Sequence, residues 1–371
     1  MAKKPNIRFA GFEDDWEQRK LGEIVEICSG RDYKHLEYGD IPVYGTGGYM
    51  LSVSEALSDD EDAIGIGRKG TIDKPYILKA PFWTVDTLFY CIPKDNYDLN
   101  FVFDIFQNIN WKAMDESTGV PSLSKAAINR VKSIVPTFSE QVKIGDYFSN
   151  LDHLITLHQR KCDELKKVKK FMLQKMFPKK GEKNPEIRFD GFTNDWEQRK
   201  VYEMFKVTRG YVLPATDTSE EISDEMPYPV YSSQTKDNGL MGYYSDYLYE
   251  DAITWTTDGA NAGTVNFRYG RFYCTNVCGV LLSDKVEASK AVAEALNNVA
   301  KRYVSYVGNP KLMNNVMADI QIKIPTFREE RAKISSYFSN LDHLITLHQR
   351  KCEELKNVKK YMLQNMFAKG E

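Results

Sequence analysis

Sixteen residues, Tyr147–Cys162 (YFSNLDHLITLHQRKC), recur without a change at Tyr337–Cys352, 190 positions later. Over the longer windows 147–177 and 337–367, 27 of 31 positions match. The four that differ, at 163, 167, 171 and 175 in the first copy, step by four. They therefore fall on one stripe of a helix, as an exposed face would. A repeat at fixed period decides the architecture before any local motif does: whatever the first copy forms, the second forms too.

Helical spacing runs through each copy. Ile144, Phe148, Leu151, Ile155, His158, Cys162, Leu165, Val168, Met172 and Met176 follow at steps of three and four, with one break near Leu165. The second copy repeats the stripe with Phe338, Leu341, Ile345, Cys352 and Leu355. This is the seam of a coiled coil. Pro136 and Pro325 stand before the two helices, and Ser139 is the expected N-cap of the first. Roughly 38 residues at 1.5 Å each make a rod of about 57 Å. Two near-identical rods, each with one apolar stripe, most simply bury those stripes against each other.

A second repeat confirms a duplication. PNIRFAGFEDDWEQRK at 5–20 matches PEIRFDGFTNDWEQRK at 185–200 at 12 of 16 positions. Each unit thus reads as a short lead-in, a body of mixed strands and helices, and a long helix. The division expected is 1–138 for the first body, 139–178 for the first long helix, 179–327 for the second body and 328–371 for the second helix. The polar stretch 178–184 (PKKGEKN) is the linker. Ala63–Gly67, Val85–Ile92, Ala252–Thr256 and Val277–Leu282 read as strands, and Phe101–Asn110 and Ala288–Val307 as helices. The bodies scarcely match otherwise, except at IPVY/YPVY (41–44 and 228–231) and at the tails ending in PTF (122–138 and 311–327).

Apolar content of 42% and aromatic content of 12% are enough for real cores. No run approaches 18 apolar residues, and MAKKPNIRFAGFEDDW has no apolar signal region, so a soluble, cytoplasmic protein is expected. The net charge of −2 is unevenly spread: 140–180 carries ten Lys/Arg against five Asp/Glu, whereas 1–139 and 201–327 sum to −5 and −4. Acidic bodies argue against nucleic-acid binding by this chain alone, or imply partners that supply phosphate contacts.

The catalytic and metal motifs fail on physical grounds. Gly65, Gly67 and Gly70 form GxGxxG, but Pro75 follows too soon for the helix that a dinucleotide site requires. His153 and His158 are five apart, as are His343 and His348, where one helix face needs three or four. Cys274 and Cys278 form a lone CxxxC without a partner pair. No nucleophile elbow, P-loop or zincin motif occurs. Polar and aromatic loop residues remain, and loops on a rigid scaffold are where recognition groups sit. Arg31, Tyr33, Lys34, Tyr44, Thr46, Arg68 and Lys69 in the first body can hydrogen-bond base edges or phosphates. So can Arg209, Tyr211, Ser232, Ser233, Gln234, Lys236, Thr256, Thr257, Asp258 and Asn261 in the second.

Taken in order, the WEQRKLGE/WEQRKVYE lead-ins, IPVYGTGG and YPVYSSQTKDNG, GRKGTI, the STGVPSL…PTFSEQ tail and the YFSNLDHLITLHQRK helices carry a resemblance. The chain resembles the specificity subunit of type I restriction–modification systems over essentially its whole length. TDGANAGTV in place of GRKGTI and YVGNPKL in place of STGVPSL depart from the pattern in the second body. The resemblance implies an α+β protein with two mixed α/β target-recognition domains, separated by two long helices that form an antiparallel coiled coil. It implies a non-catalytic reader of double-stranded DNA, each domain taking one half of a bipartite site while the helices set the unread spacer. The implied partners are two copies of a DNA adenine methyltransferase subunit, which carry the S-adenosylmethionine, and a motor–nuclease subunit. A two-armed adaptor that binds proteins and is held by a coiled coil is the alternative.

Overall fold

A computed structural model describes residues 4–115, 117–233 and 236–368. The chain divides into two compact units, 1–159 with 349–371, and 160–348. The cut falls inside both long helices, so neither unit is the simple body-then-helix segment expected from sequence order.

Unit 1 runs in chain order through β1 (Glu17–Lys20), α1 (Leu21–Ile24), β2 (Val25–Ser29), β3 (Tyr38–Gly45), β4 (Gly48–Val53), β5 (Ala63–Gly67), β6 (Tyr76–Leu78), β7 (Trp83–Thr84), β8 (Leu88–Pro93), α2 (Leu99–Asn108), α3 (Lys125–Arg130) and β9 (Lys132–Val135). Strands order as β2-β8-β5-β6 in one sheet and β4-β3-β7 in another, and β1 pairs with β9. Asp98 caps α2 by accepting from the Phe101 N–H. The helix then buries Phe101, Val102, Ile105 and Phe106 against the sheet, each contributing roughly 1.5–3 kcal/mol.

The long helix α4 (Phe138–Lys175) starts one residue earlier than expected, which places Ser139 in its first turn rather than at the cap. Unit 2 repeats the plan with β10 (Glu197–Lys200), α5 (Val201–Met204), β11 (Phe205–Arg209), β12 (Tyr228–Tyr231), β13 (Leu240–Tyr244), β14 (Tyr249–Thr256), β15 (Val265–Cys274), β16 (Cys278–Ser283), α6 (Lys290–Ala300), α7 (Asn314–Asp319), β17 (Gln321–Ile324) and α8 (Arg328–Met366). Here one sheet of order β11-β16-β14-β15-β12-β13 replaces the two of unit 1. The ten-residue β15 does the work of β6 and β7, which residues 79–82 hold apart in unit 1.

Within each unit the N-terminal half of one long helix packs on the C-terminal half of the other. In unit 1 Lys359 Nζ bonds Asp152 at 2.6 Å and Cys352 Sγ lies 3.9 Å from the Ile155 carbonyl. Partner numbers fall as positions rise, so the pairing is antiparallel. Phe148, Leu151, Cys162, Leu165, Phe338, Leu341, Ile345 and Cys352 are buried, and Ile155 and Leu355 are half-buried. Val168 is a correction: expected in the seam, it is exposed because the break at Leu165 rotates it out.

The repeated lead-ins clamp the start of each long helix. Arg8 grips Glu140 through two bonds of 2.7 Å, and Arg188 grips Glu330 at 2.7 and 2.9 Å. Trp16 meets Phe101 and Phe367 edge-on in unit 1, and Trp196 meets Phe177 in unit 2. The DW of each lead-in and the MF that ends each helix were repeated because they meet. Among the described residues no helix is long and apolar enough to cross a membrane.

Candidate nucleic-acid interface

The end of each body that carries the polar loops is assembled by backbone bonds. In unit 1, β2 and β5 both run antiparallel to β8, with Ser29 opposite Phe89 and Gly67 opposite Leu88. The segments leaving β2 and β5 therefore emerge together beside the start of β8. The Val85 N–H donates to the Tyr44 carbonyl at 3.0 Å, which brings the end of β3 to the same place. Gly30 permits the crowding: a Cβ there would lie 2.0 Å from the Val85 carbonyl oxygen.

Unit 2 makes the same bonds with different residues. Gly210 takes the place of Gly30, its Cβ position 2.1 Å from the Cys274 carbonyl oxygen. Arg31 N–H donates to Thr84 O at 2.8 Å, and Tyr211 N–H to Cys274 O at 3.1 Å. Thr275 N–H reaches Tyr231 O at 2.9 Å, as Val85 reaches Tyr44. The segment TDGAN, which departs from GRKGTI in sequence, does not depart in backbone. Arg68 N–H bonds Thr87 O and Thr257 N–H bonds Val277 O; Gly70 N–H bonds Pro121 O and Gly259 N–H bonds Pro310 O. Arg31 thus corresponds to Tyr211, Arg68 to Thr257 and Lys69 to Asp258.

The side chains on this frame differ in charge and depth. Arg31, Lys34, Arg68 and Lys69 are exposed, whereas Tyr33, Tyr44 and Thr46 are half-buried. In unit 2, Arg209 and Tyr211 are exposed, Ser232, Ser233, Asp258 and Asn261 are half-buried, and Thr256 and Thr257 are buried. The Thr257 hydroxyl donates to Asp258, which also lies 3.7 Å from Lys311. Lys236 opens a short turn, Lys236–Gly239, and Gln234 lies outside the described residues. No helix follows β5, so GIGRKG is a strand and a turn. Cys274 and Cys278 are buried, and desolvation raises both thiols, Cys278 to about 11. Among the described residues no three His, Cys, Asp or Glu side chains are grouped to hold a metal ion.

A family model for the type I restriction modification DNA specificity domain matches the chain twice, over residues 13–167 and 193–357. The chain belongs to this family. Its two specificity domains coincide with the two lead-in, body and helix repeats. A type I specificity subunit N-terminus from Mycoplasma pneumoniae is 36% identical over 140 residues, 37% of this chain and 73% of that protein. A second specificity subunit of the same organism is 35% identical over 166 residues, 44% of each chain. The chain therefore spans less than half of that second relative's length. A crystallographic S subunit of a type I restriction-modification system from M. genitalium shares the fold, with a TM-score of 0.80 over 99% of this chain and 100% of that one, at 15% identity.

Sequence reasoning about these specificity domains missed Arg268, Asn266 and Thr254. They sit inside β14 and β15, where alternation suggests packing and not chemistry. The one available signal was a charged residue, Arg268, set between the aromatic residues Phe267 and Tyr269 of β15.

Proposed function

We propose that the chain is the sequence-specificity subunit of a type I restriction–modification complex, each specificity domain reading one half of a bipartite double-stranded DNA target. One observation carries this reading. A single backbone frame occurs twice and presents different side chains at corresponding loop positions, as a two-part reader needs and a symmetric scaffold does not. Arg68 and Lys69 against Thr257 and Asp258 are the sharpest case. Base edges in the major groove distinguish such donor and acceptor sets.

The long helices set the unread spacer and dock two DNA adenine methyltransferase subunits, with a motor–nuclease subunit completing the complex. Exposed apolar residues support the docking role, because both helix copies present them equally: Leu154 and Leu344 are each 40% exposed, Leu157 and Leu347 52% and 51%. Matching apolar faces outside a seam suit two copies of one partner. The methyltransferase subunits bring S-adenosylmethionine and perform the chemistry, and this chain acts without a catalytic group of its own, in the cytoplasm where the DNA lies. The test is the adenine methylome of a host that expresses the chain with its methyltransferase subunit. A bipartite motif that disappears with this chain is the expected result. Methylation indifferent to the chain would favour a protein-binding adaptor.

A further inference from the structure

The second specificity domain contains a polar cavity of about 110 Å³ between β12, β14 and β15, lined among others by Ser232, Thr254, Thr256, Asn261, Asn266 and Arg268. It runs from half-buried Ser232 and Asn261, among the loop residues described above, to Arg268, which is 8% exposed. The Arg268 guanidinium is fixed: Nε donates to Thr254 Oγ1 at 3.1 Å, Nη2 to the Asn238 carbonyl at 2.8 Å, and the group lies 3.7 Å over the Tyr231 ring. Among the side chains that the structure describes, which end at Ser233 and resume at Asn238, it forms no ion pair with a carboxylate, and burial lowers its pKa from the usual value. A buried cation without a counter-charge is costly unless a ligand supplies one.

The first domain indicates that the fold does not need this arginine. Ala63 pairs with Leu78 as Ala252 pairs with Arg268, and Gly65 pairs with Tyr76 as Thr254 pairs with Asn266. At these positions unit 1 holds glycine, tyrosine and leucine. The Tyr76 ring lies over Gly65, its hydroxyl donates to the Gly45 carbonyl at 2.6 Å, and Leu78 is buried with Phe82 and Tyr90. The same frame is closed by apolar packing in one domain and lined by a guanidinium, hydroxyls and amides in the other.

We propose that this cavity is an anion site of the second domain, taking a phosphoryl group with Arg268 as its fixed positive charge, and that in the complex the group is a DNA backbone phosphate. A neutral base edge would bring no counter-charge to the guanidinium, whereas a phosphate oxygen brings one through the guanidinium fork. The remaining lining groups, hydroxyls and side-chain amides, can donate to the other oxygens.

Only the DNA part rests on the specificity reading, so the test has two arms. In the first, thermal unfolding of the full chain is followed with inorganic phosphate against chloride at equal ionic strength. Phosphate is expected to raise the Tm of the parent by about 2 °C or more at saturation. The shift should vanish in Arg268→Gln and in the triple variant Thr254→Gly, Asn266→Tyr, Arg268→Leu, which rebuilds the packing of the first domain. No shift in the parent, or a shift surviving in both variants, overturns the anion site.

In the second arm, the complex with methyltransferase subunits binds its DNA over a range of salt. Arg268→Gln should weaken binding roughly tenfold and reduce the salt slope by about one, with both half-site sequences unchanged. An altered letter in one half-site with an unchanged slope overturns the phosphate contact. If the parental complex methylates no bipartite motif, the specificity reading fails, and the phosphate arm still decides the anion site.

Discussion

The two specificity domains differ where a duplicated scaffold is free to differ and agree where it is not. Their lead-ins, helix starts and loop-closing backbone bonds coincide, while the faces of β5 and β14, and the segments that follow them, have diverged. The same contrast appears in the charged clusters beside the long helices. In unit 2, α6 supplies Glu294 and Lys290, which join Lys169 and Asp342 in a balanced network with contacts of 2.6 to 3.2 Å. In unit 1, Lys359 pairs with Asp152, but α2 supplies only Asp104, whose Oδ2 has no partner among the described residues. Burial holds the Asp104 carboxyl well above the usual range, Lys359 opposing and Asp152 and Asp98 adding to the shift. Near-identical helices have thus been fitted to two bodies with unequal electrostatic success, and the bodies are the parts that changed most.

Duplicating one body would break the comparison most completely. Replacing residues 21–135 by a copy of 201–324 leaves the lead-in pairing intact, since Lys20 faces Lys132 and Lys200 faces Gln321. The resulting complex should methylate a target with two identical half-sites and lose the parental motif entirely, as methylome sequencing would reveal. Retention of the original first half-site would show that the body does not read.

The clamps should cost most in stability. Glu140→Ala and Glu330→Ala each strand a largely buried arginine, a loss of roughly 3–5 kcal/mol. The second should cost about 1 kcal/mol more, because the Trp196 Nε1–H also donates to Glu330, whereas the Trp16 indole N–H has no partner among the described residues. Urea unfolding with hydrogen exchange resolved by unit distinguishes the two, and equal losses would remove the asymmetry.

The charged clusters predict opposite signs. A carboxyl whose folded pKa is raised contributes stability below the ordinary carboxylate range and loses it as pH rises through the folded value. Asp104→Asn should therefore stabilise the chain, with a Tm advantage that grows from pH 4 to pH 8. Burial opposes ionisation of Asp342, but Lys290 and Lys169 prevail and lower its pKa, so its contribution is present at neutral pH and lost on acidification. Asp342→Asn should destabilise by roughly 1–2 kcal/mol at pH 7, part of the cost of a fully buried pair because the side chain is partly exposed. Two effects of the same sign would refute the contrast.

The smallest expected effect lies at corresponding loop positions. Lys69→Ala should reduce the salt slope of DNA binding by about one, as loss of a phosphate contact does. Asp258→Ala should leave the slope unchanged or raise affinity slightly. Equal responses would mean that the two loops do not face DNA in the same way.

Much of this organisation is legible in the sequence alone. The repeats fixed a two-unit plan, and the three-and-four spacing fixed the long helices and nearly all of their seam, Val168 excepted. Pro75 ruled out the helix that GIGRKG would need. The clamp from Arg8 to Glu140 was not legible, although Arg8 lies in a repeated lead-in, because 132 positions separate the two residues and nothing in composition marks a pair. The correspondence of GRKG with TTDG was hidden as well. Their shared bonds are between backbone N–H and carbonyl groups, which are the same for every residue type.

The sequence by itself determined the duplication and the helical stripes, because side chains repeated at fixed spacing must share a face. Tertiary structure alone decided which loops of the two domains correspond, and that one domain encloses a buried guanidinium where the other packs Leu78 and Tyr76. Those outcomes depend on backbone bonds between segments distant in the chain, and such bonds are the same whatever side chains the two segments carry.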